Sequence, residues 1–244
     1  MPYLFIGCGV LFLGIFLFFR DKKGSFLAIF FKTLTSLMFV FVALFSLKQI
    51  GVNTTSIVLI IIGLCFGMIG DVLLDLKVCM KSLDEPKKSD LFMYLGMASF
   101  GVGHILYITA SFLEVENLAM YFYISLGIGL ALIIGILVLS IKVMKMNYGK
   151  FLIPSGIYGF LLASFVVFSI FRYVNVLDLK SLLLMIGSIM FIVSDLILSM
   201  TYFSKEEDYD KKGMLNPESR FMICSNHITY YVAQFLIAIS ILFI

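Results

Sequence analysis

Residues 56–77 read SIVLIIIGLCFGMIGDVLLDLK. From Ile57 to Gly70 no side chain is charged. The stretch spans about 33 Å as a helix at 1.5 Å per residue, enough to cross the roughly 30 Å hydrocarbon core of a bilayer. The apolar run is continuous. It does not alternate in polarity, which excludes a membrane β-strand. Two short acids, Asp71 and Asp75, interrupt its second half. Gly63, Gly67, Asp71 and Asp75 recur every four residues, so they form one stripe on the helix. The glycines invite close approach of a neighbouring helix.

Seven more runs of this kind lie on either side, at 2–19, 26–47, 91–112, 120–140, 152–171, 180–203 and 221–244. The chain therefore reads as all-α: a polytopic membrane protein of eight transmembrane helices forming a single domain, 1–244. Composition agrees. Of 244 residues 61% are hydrophobic and 14% charged, against about a quarter charged in soluble domains. No connection between the runs is long enough for a soluble domain. The net charge of +3 gives no basic face for nucleic acid. Cys8, Cys65, Cys79 and Cys224 form no CxxC pair and read as small packing residues.

Loop charge sets an expected orientation. The first run is followed, not preceded, by Arg20, Lys22 and Lys23, which is the reverse of a cleaved signal peptide. Of 18 Lys and Arg, 14 fall after the odd-numbered spans. Three, Lys48, Arg172 and Lys180, fall after the even-numbered spans, and only Lys32 is placed within a span. The positive-inside rule then puts both termini outside the cytoplasm, in a bacterial plasma membrane. The charged runs Lys81–Asp90 and Lys205–Arg220 read as solvated connections.

Ionisable groups within the bilayer cost about 2.5–3.5 kcal/mol each on insertion scales, so each is a candidate functional group. Here they are Lys32, Asp71, Asp75, His104, Asp195 and His227. Lys32, Asp71, Asp195 and His227 fall at a common depth, roughly 9–12 Å below the cytoplasmic surface. A shared hydrated cavity is the expectation. Asp75 lies near enough to the interface to be simply solvated, Lys32 near enough to snorkel, and either histidine also reads as a packing residue. Gly187, Phe191, Asp195 and Ser199 make a second stripe on the seventh span. His104 shares a face with Tyr107, and His227 with Tyr231 and Gln234. The halves resemble each other: Gly63 precedes Asp71, and Gly187 precedes Asp195, by the same interval, and HILY (104–107) parallels HITY (227–230). A parallel repeat of two four-helix halves and coincidence in Ile-rich helices both account for this.

Two carboxylates in a low-dielectric cavity repel, so one holds its proton while the other stays ionised. That arrangement suits acid–base hydrolysis through a cation-like transition state. It equally suits proton-coupled transport or the gripping of a polar lipid. No HExxH zinc spacing, GxSxG turn or phosphate-binding loop is present, and no metal or cofactor is expected.

GDVLL (70–74), FGVGHILY (100–107), the stretch 187–196 ending in FIVSDL, YVAQ (231–234) and Lys32 together resemble the lysoplasmalogenase family of YhhN-like membrane proteins, from about residue 26 to the C-terminus. The resemblance implies an eight-helix bundle that cleaves the vinyl ether of lysoplasmalogens drawn from the bilayer. The products are a fatty aldehyde and glycerophosphoethanolamine or glycerophosphocholine. It implies Asp71 and Asp195 as the catalytic pair. Asp195, in the more apolar setting, is expected as the acid. Lys32, His104, Tyr107, His227, Tyr231 and Gln234 are expected to bind the lipid, Lys32 meeting its phosphate. The chain departs from the family pattern at Thr33, at Asp75 and in the loop 204–220.

Overall fold

The computed structural model describes residues 1–20, 26–115, 119–210, 212–214 and 216–243. Helices α1 (Pro2–Phe19), α2 (Phe26–Ile50), α3 (Thr55–Ser82), α4 (Pro86–Leu113), α5 (Ala119–Lys142), α6 (Leu152–Val176) and α7 (Leu179–Phe203) are followed by a single-turn α8 (Glu206–Tyr209) and by α9 (Arg220–Ile239). Short 3₁₀ turns stand at Gly149–Phe151 and Ser240–Phe243. Among the described residues there is no strand. Among the described residues eight helices, all but α8, are long and apolar enough to cross a membrane. The protein is an all-α, multi-pass integral membrane protein.

The helices outrun the apolar runs that announce them. A hydropathy limit stops at the first charge, whereas a helix continues until its backbone groups find a cap. Thus α3 continues to Ser82 and α4 begins at Pro86, leaving three residues of connection where a longer solvated loop was expected. Pro86 occupies the first turn of α4, where its fixed φ suits the helix and its missing N–H costs nothing. Arg172 and Lys180 are a second correction. They are not loop cations: each lies inside a helix, α6 and α7 respectively, and each is 2% exposed. The connection between these helices is only Leu177 and Asp178, with Leu177 in the left-handed region (φ +55°). So tight a turn keeps both cations within the packed helices. Lys22, Lys23 and Lys211, three of the charges behind the expected orientation, lie outside the described residues.

The chain divides into two compact units, Met1–Glu116 with Ile237–Ile244, and Asn117–Leu236. In the first, α2 packs between α1 and α3, α3 packs on α4, and the 3₁₀ turn Ser240–Phe243 packs on α2. Glycines make the α3–α4 contact possible. A Cβ at Gly63 would come within 2.5 Å of the Tyr107 ring, and one at Gly70 within 2.6 Å of Phe100. Serines tie the two helices together: Ser56 Oγ donates to the Ala110 carbonyl (2.5 Å) and Ser99 Oγ to that of Phe66 (2.7 Å). Small residues with hydroxyl bridges are the usual glue where lipid removes any hydrophobic drive between helices.

The second unit is held in the same way. Ser169 and Ser188 hydroxyls meet across α6 and α7 at 2.7 Å, and Arg172 Nε donates to Ser181 Oγ at 2.9 Å. The connection after α7 folds back on its helix: the Tyr209 hydroxyl donates to the Thr201 carbonyl, and Asn216 Nδ2 to that of Tyr209. Burial, followed by the nearby Glu218 and Asp208 charges, pushes the Tyr209 phenol pKa up.

Candidate active site

The first unit gathers charge around Asp71. Asp71 and Asp75, one turn apart on α3, are 3% and 2% exposed. Lys32 of α2 reaches across, its Nζ 3.1 Å from Asp75 Oδ1, 3.6 Å from Asp71 Oδ1 and 3.4 Å from the Asp71 carbonyl. Three acceptors thus surround an ammonium that has three N–H donors. Ser36, one turn beyond Lys32, donates to Asp71 Oδ2 at 2.6 Å. Arg20, at the end of α1, donates from Nη1 to Asp75 Oδ1 at 3.4 Å. Asp75 is therefore not solvated at an interface, and Lys32 does not snorkel. The two charges bury each other, because neither an isolated ammonium nor an isolated carboxylate tolerates this environment.

His104 is 1% exposed and meets the Tyr107 ring edge-on at 6.2 Å between centroids. Tyr107 is 2% exposed, seated over Gly63. These two predicted site residues share the first unit with Lys32 and Asp71.

The second unit carries Asp195, His227, Tyr231 and Gln234. Asp195, half-buried on α7, accepts a hydrogen bond from the Tyr158 hydroxyl of α6. The residues just before Asp195 and His227 pin α7 to α9. Ser194 Oγ donates to the Asn226 carbonyl (3.1 Å), while Asn226 Nδ2 donates to the carbonyl (2.8 Å) and hydroxyl (3.0 Å) of Ser194. His227 Nδ1 lies 2.8 Å from the Ile223 carbonyl. A carbonyl only accepts, so Nδ1 carries the proton, and in the neutral ring Nε2 presents its lone pair. Gln234 is fully buried and donates from Nε2 to the Tyr230 hydroxyl at 2.9 Å. Tyr231 is 1% exposed.

Asp75, a candidate by its charge, is buried beside Lys32, and Arg20, Ser36 and Tyr158 contact carboxylates of their own units without having been singled out. Each left a trace. Ser36 follows Lys32 by four residues, on the same helical face. Tyr158 stands six residues into its span, close to the depth given to Asp195. Neither carries charge, so a search for ionisable groups passes over both.

A buried carboxylate held by a hydroxyl and an ammonium in the first unit, and a half-buried one that accepts from a phenol in the second, give this multi-pass α-helical membrane protein groups suited to acid–base chemistry. A model of the YhhN family matches residues 27–241. The chain belongs to the YhhN family, the group to which its motifs had pointed. No curated protein and no solved structure matches it significantly.

Proposed function

We propose that this chain is a lysoplasmalogenase: a membrane-embedded hydrolase that cleaves the vinyl ether of lysoplasmalogens, releasing a fatty aldehyde and a glycerophospho-alcohol. The observation that carries the reading is the buried Asp71, held by Ser36 at 2.6 Å and by Lys32, in a chain of the YhhN family. A carboxylate fixed from two sides is pre-organised for charge that develops in a transition state.

In this reading Asp195 is the acid and Asp71 the ionised partner. An ammonium beside Asp71 matches the ionised role, whereas the group that donates to Asp195 is the neutral Tyr158 hydroxyl. Asp195 delivers its proton to the β-carbon of the vinyl ether, and the double-bond electrons form the new C–H bond. The adjacent carbon becomes an oxocarbenium ion, whose positive charge Asp71 stabilises. Asp71 then takes a proton from water as its oxygen bonds to that carbon. The hemiacetal collapses: its hydroxyl proton passes to Asp195, its C–O bond to glycerol breaks, and the glycerol oxygen takes the proton that Asp71 holds. Acid and base are both regenerated, and no redox partner is needed. A single-chain lipid would enter sideways from the bilayer, with its head group towards the end of α3 that carries Asp75.

The test is direct. Purified protein with a 1-alkenyl lysophospholipid should release free aldehyde. No aldehyde from folded protein, together with lipid binding or proton-driven uptake in vesicles, would replace this reading with a binding or transport role.

A further inference from the structure

Asp75 is the odd member of the cluster. Its Oδ1 receives both Lys32 (3.1 Å) and Arg20 (3.4 Å). Its Oδ2 is buried and, among the described residues, meets no hydrogen-bond donor. A buried acceptor of this kind costs about 1–3 kcal/mol, more when charged, so a retained one is expected to serve a donor from outside the protein. Resting on the lysoplasmalogenase reading, we infer that Asp75 Oδ2 accepts a hydrogen bond from the ammonium of an ethanolamine head group, so that the site favours lipids with an N–H on the head group over their choline counterparts.

Three observations converge on it. The first is charge. Arg20 and Lys32 balance Asp71 and Asp75, so a zwitterionic head group leaves the cluster neutral, whereas a purely anionic one adds charge to a buried site. The second is placement. Asp75 lies one turn, about 6 Å, from Asp71 along α3, comparable to the stretch of glycerol between the ether oxygen and the phosphate. With the vinyl ether at Asp71, the phosphate falls level with Asp75, and the ammonium, two carbons further on, within its reach. The third is Arg20, the most exposed side chain of the four at 11%. Its contact with Asp75 is at the long edge of hydrogen bonding, and a guanidinium suits phosphate better still. As the lipid enters, Arg20 moves from Oδ1 to the phosphate, leaving Lys32 on Oδ1 and Oδ2 for the ammonium. Ethanolamine carries three N–H donors there. Choline carries none.

The experiment measures binding of non-cleavable alkyl lysophospholipids to the purified full-length protein. The head group is ethanolamine, its N-methyl and N,N-dimethyl forms, and choline. In the wild type, Kd should stay nearly level while one N–H remains and rise about tenfold at the last methyl, the worth of a hydrogen bond to a charged group. Asp75→Asn should flatten that step to about twofold or less, well under the same hydrogen-bond value. A level series throughout would mean that water satisfies Oδ2, and it overturns the inference. So does an even rise with each methyl, which would report size alone, or a step that survives in Asp75→Asn. Should that variant not fold, the wild-type series still decides. Aldehyde release from the corresponding alkenyl lipids separates the two readings. Aldehyde without head-group preference removes only this inference. Preference without aldehyde keeps the head-group site and removes the hydrolase.

Discussion

Replacing Lys32 with methionine keeps the stem of the side chain and removes one buried charge. Two carboxylates lose a partner at once, Asp75 at 3.1 Å and Asp71 at 3.6 Å. At an effective dielectric of 20 each attraction is worth about 5 kcal/mol, and much of that is offset by the desolvation of the ammonium. Removing one member of a buried pair typically costs about 3–5 kcal/mol, because it strands the other. The expected loss for Lys32→Met is in that range. Adding Asp75→Asn removes one stranded charge, while Asp71 keeps Ser36. The double variant should then be more stable than the sum of the single losses implies, by about 2 kcal/mol, within the coupling seen for contacting residues. Unfolding in mixed micelles with rising SDS, followed by far-UV circular dichroism, gives all four corners of the cycle. A Lys32→Met loss below about 1 kcal/mol, far short of a buried-pair rupture, would refute the reasoning. So would strict additivity.

Asp71→Asn and Asp195→Asn should each lower turnover by about 10²–10⁴-fold, the usual worth of one acid–base group, and the double variant should be little worse than either; steady-state aldehyde release measures this. The wild-type pH–rate curve should be bell-shaped, with one limb lost in whichever single variant keeps measurable activity. Tyr158→Phe removes the hydroxyl that Asp195 accepts, so kcat should fall about 10-fold or more while KM for the lipid stays nearly level, which initial-rate kinetics would show. Cysteine labelling in intact cells should mark position 2 and spare position 85, as the charge bias predicts; the opposite pattern would reverse the topology.

The fold was legible because a bilayer imposes a crude requirement, an apolar run of sufficient length, and eight runs meet it. Helix ends were less legible. The charged turns at Lys77–Ser82 and Pro86–Asp90 stay helical through capping and a proline at the first turn, which hydropathy does not register. Asp71, Asp195 and Lys32 stood out by charge alone. The burial of Asp75 did not, because its cations arrive from α1 and α2, far away in sequence. Tyr158 was missed for a related reason: a phenol in an apolar helix gains its meaning only from the carboxylate opposite. Arg172 and Lys180 misled because a two-residue turn holds them in helices where a longer loop would have released them to water.

The central claim is that a carboxylic acid protonates the β-carbon of a vinyl ether. Hydrolysis in D₂O, with the aldehyde trapped as it forms, tests this most directly. Transfer from an exchanged carboxyl group puts one deuterium on the carbon next to the carbonyl, and mass spectrometry of the trapped product should find it in the wild type. Asp71→Asn and Asp195→Asn should give little product of any mass. Aldehyde without deuterium at that carbon would mean that the bond breaks by another route, and the acid–base account would fall.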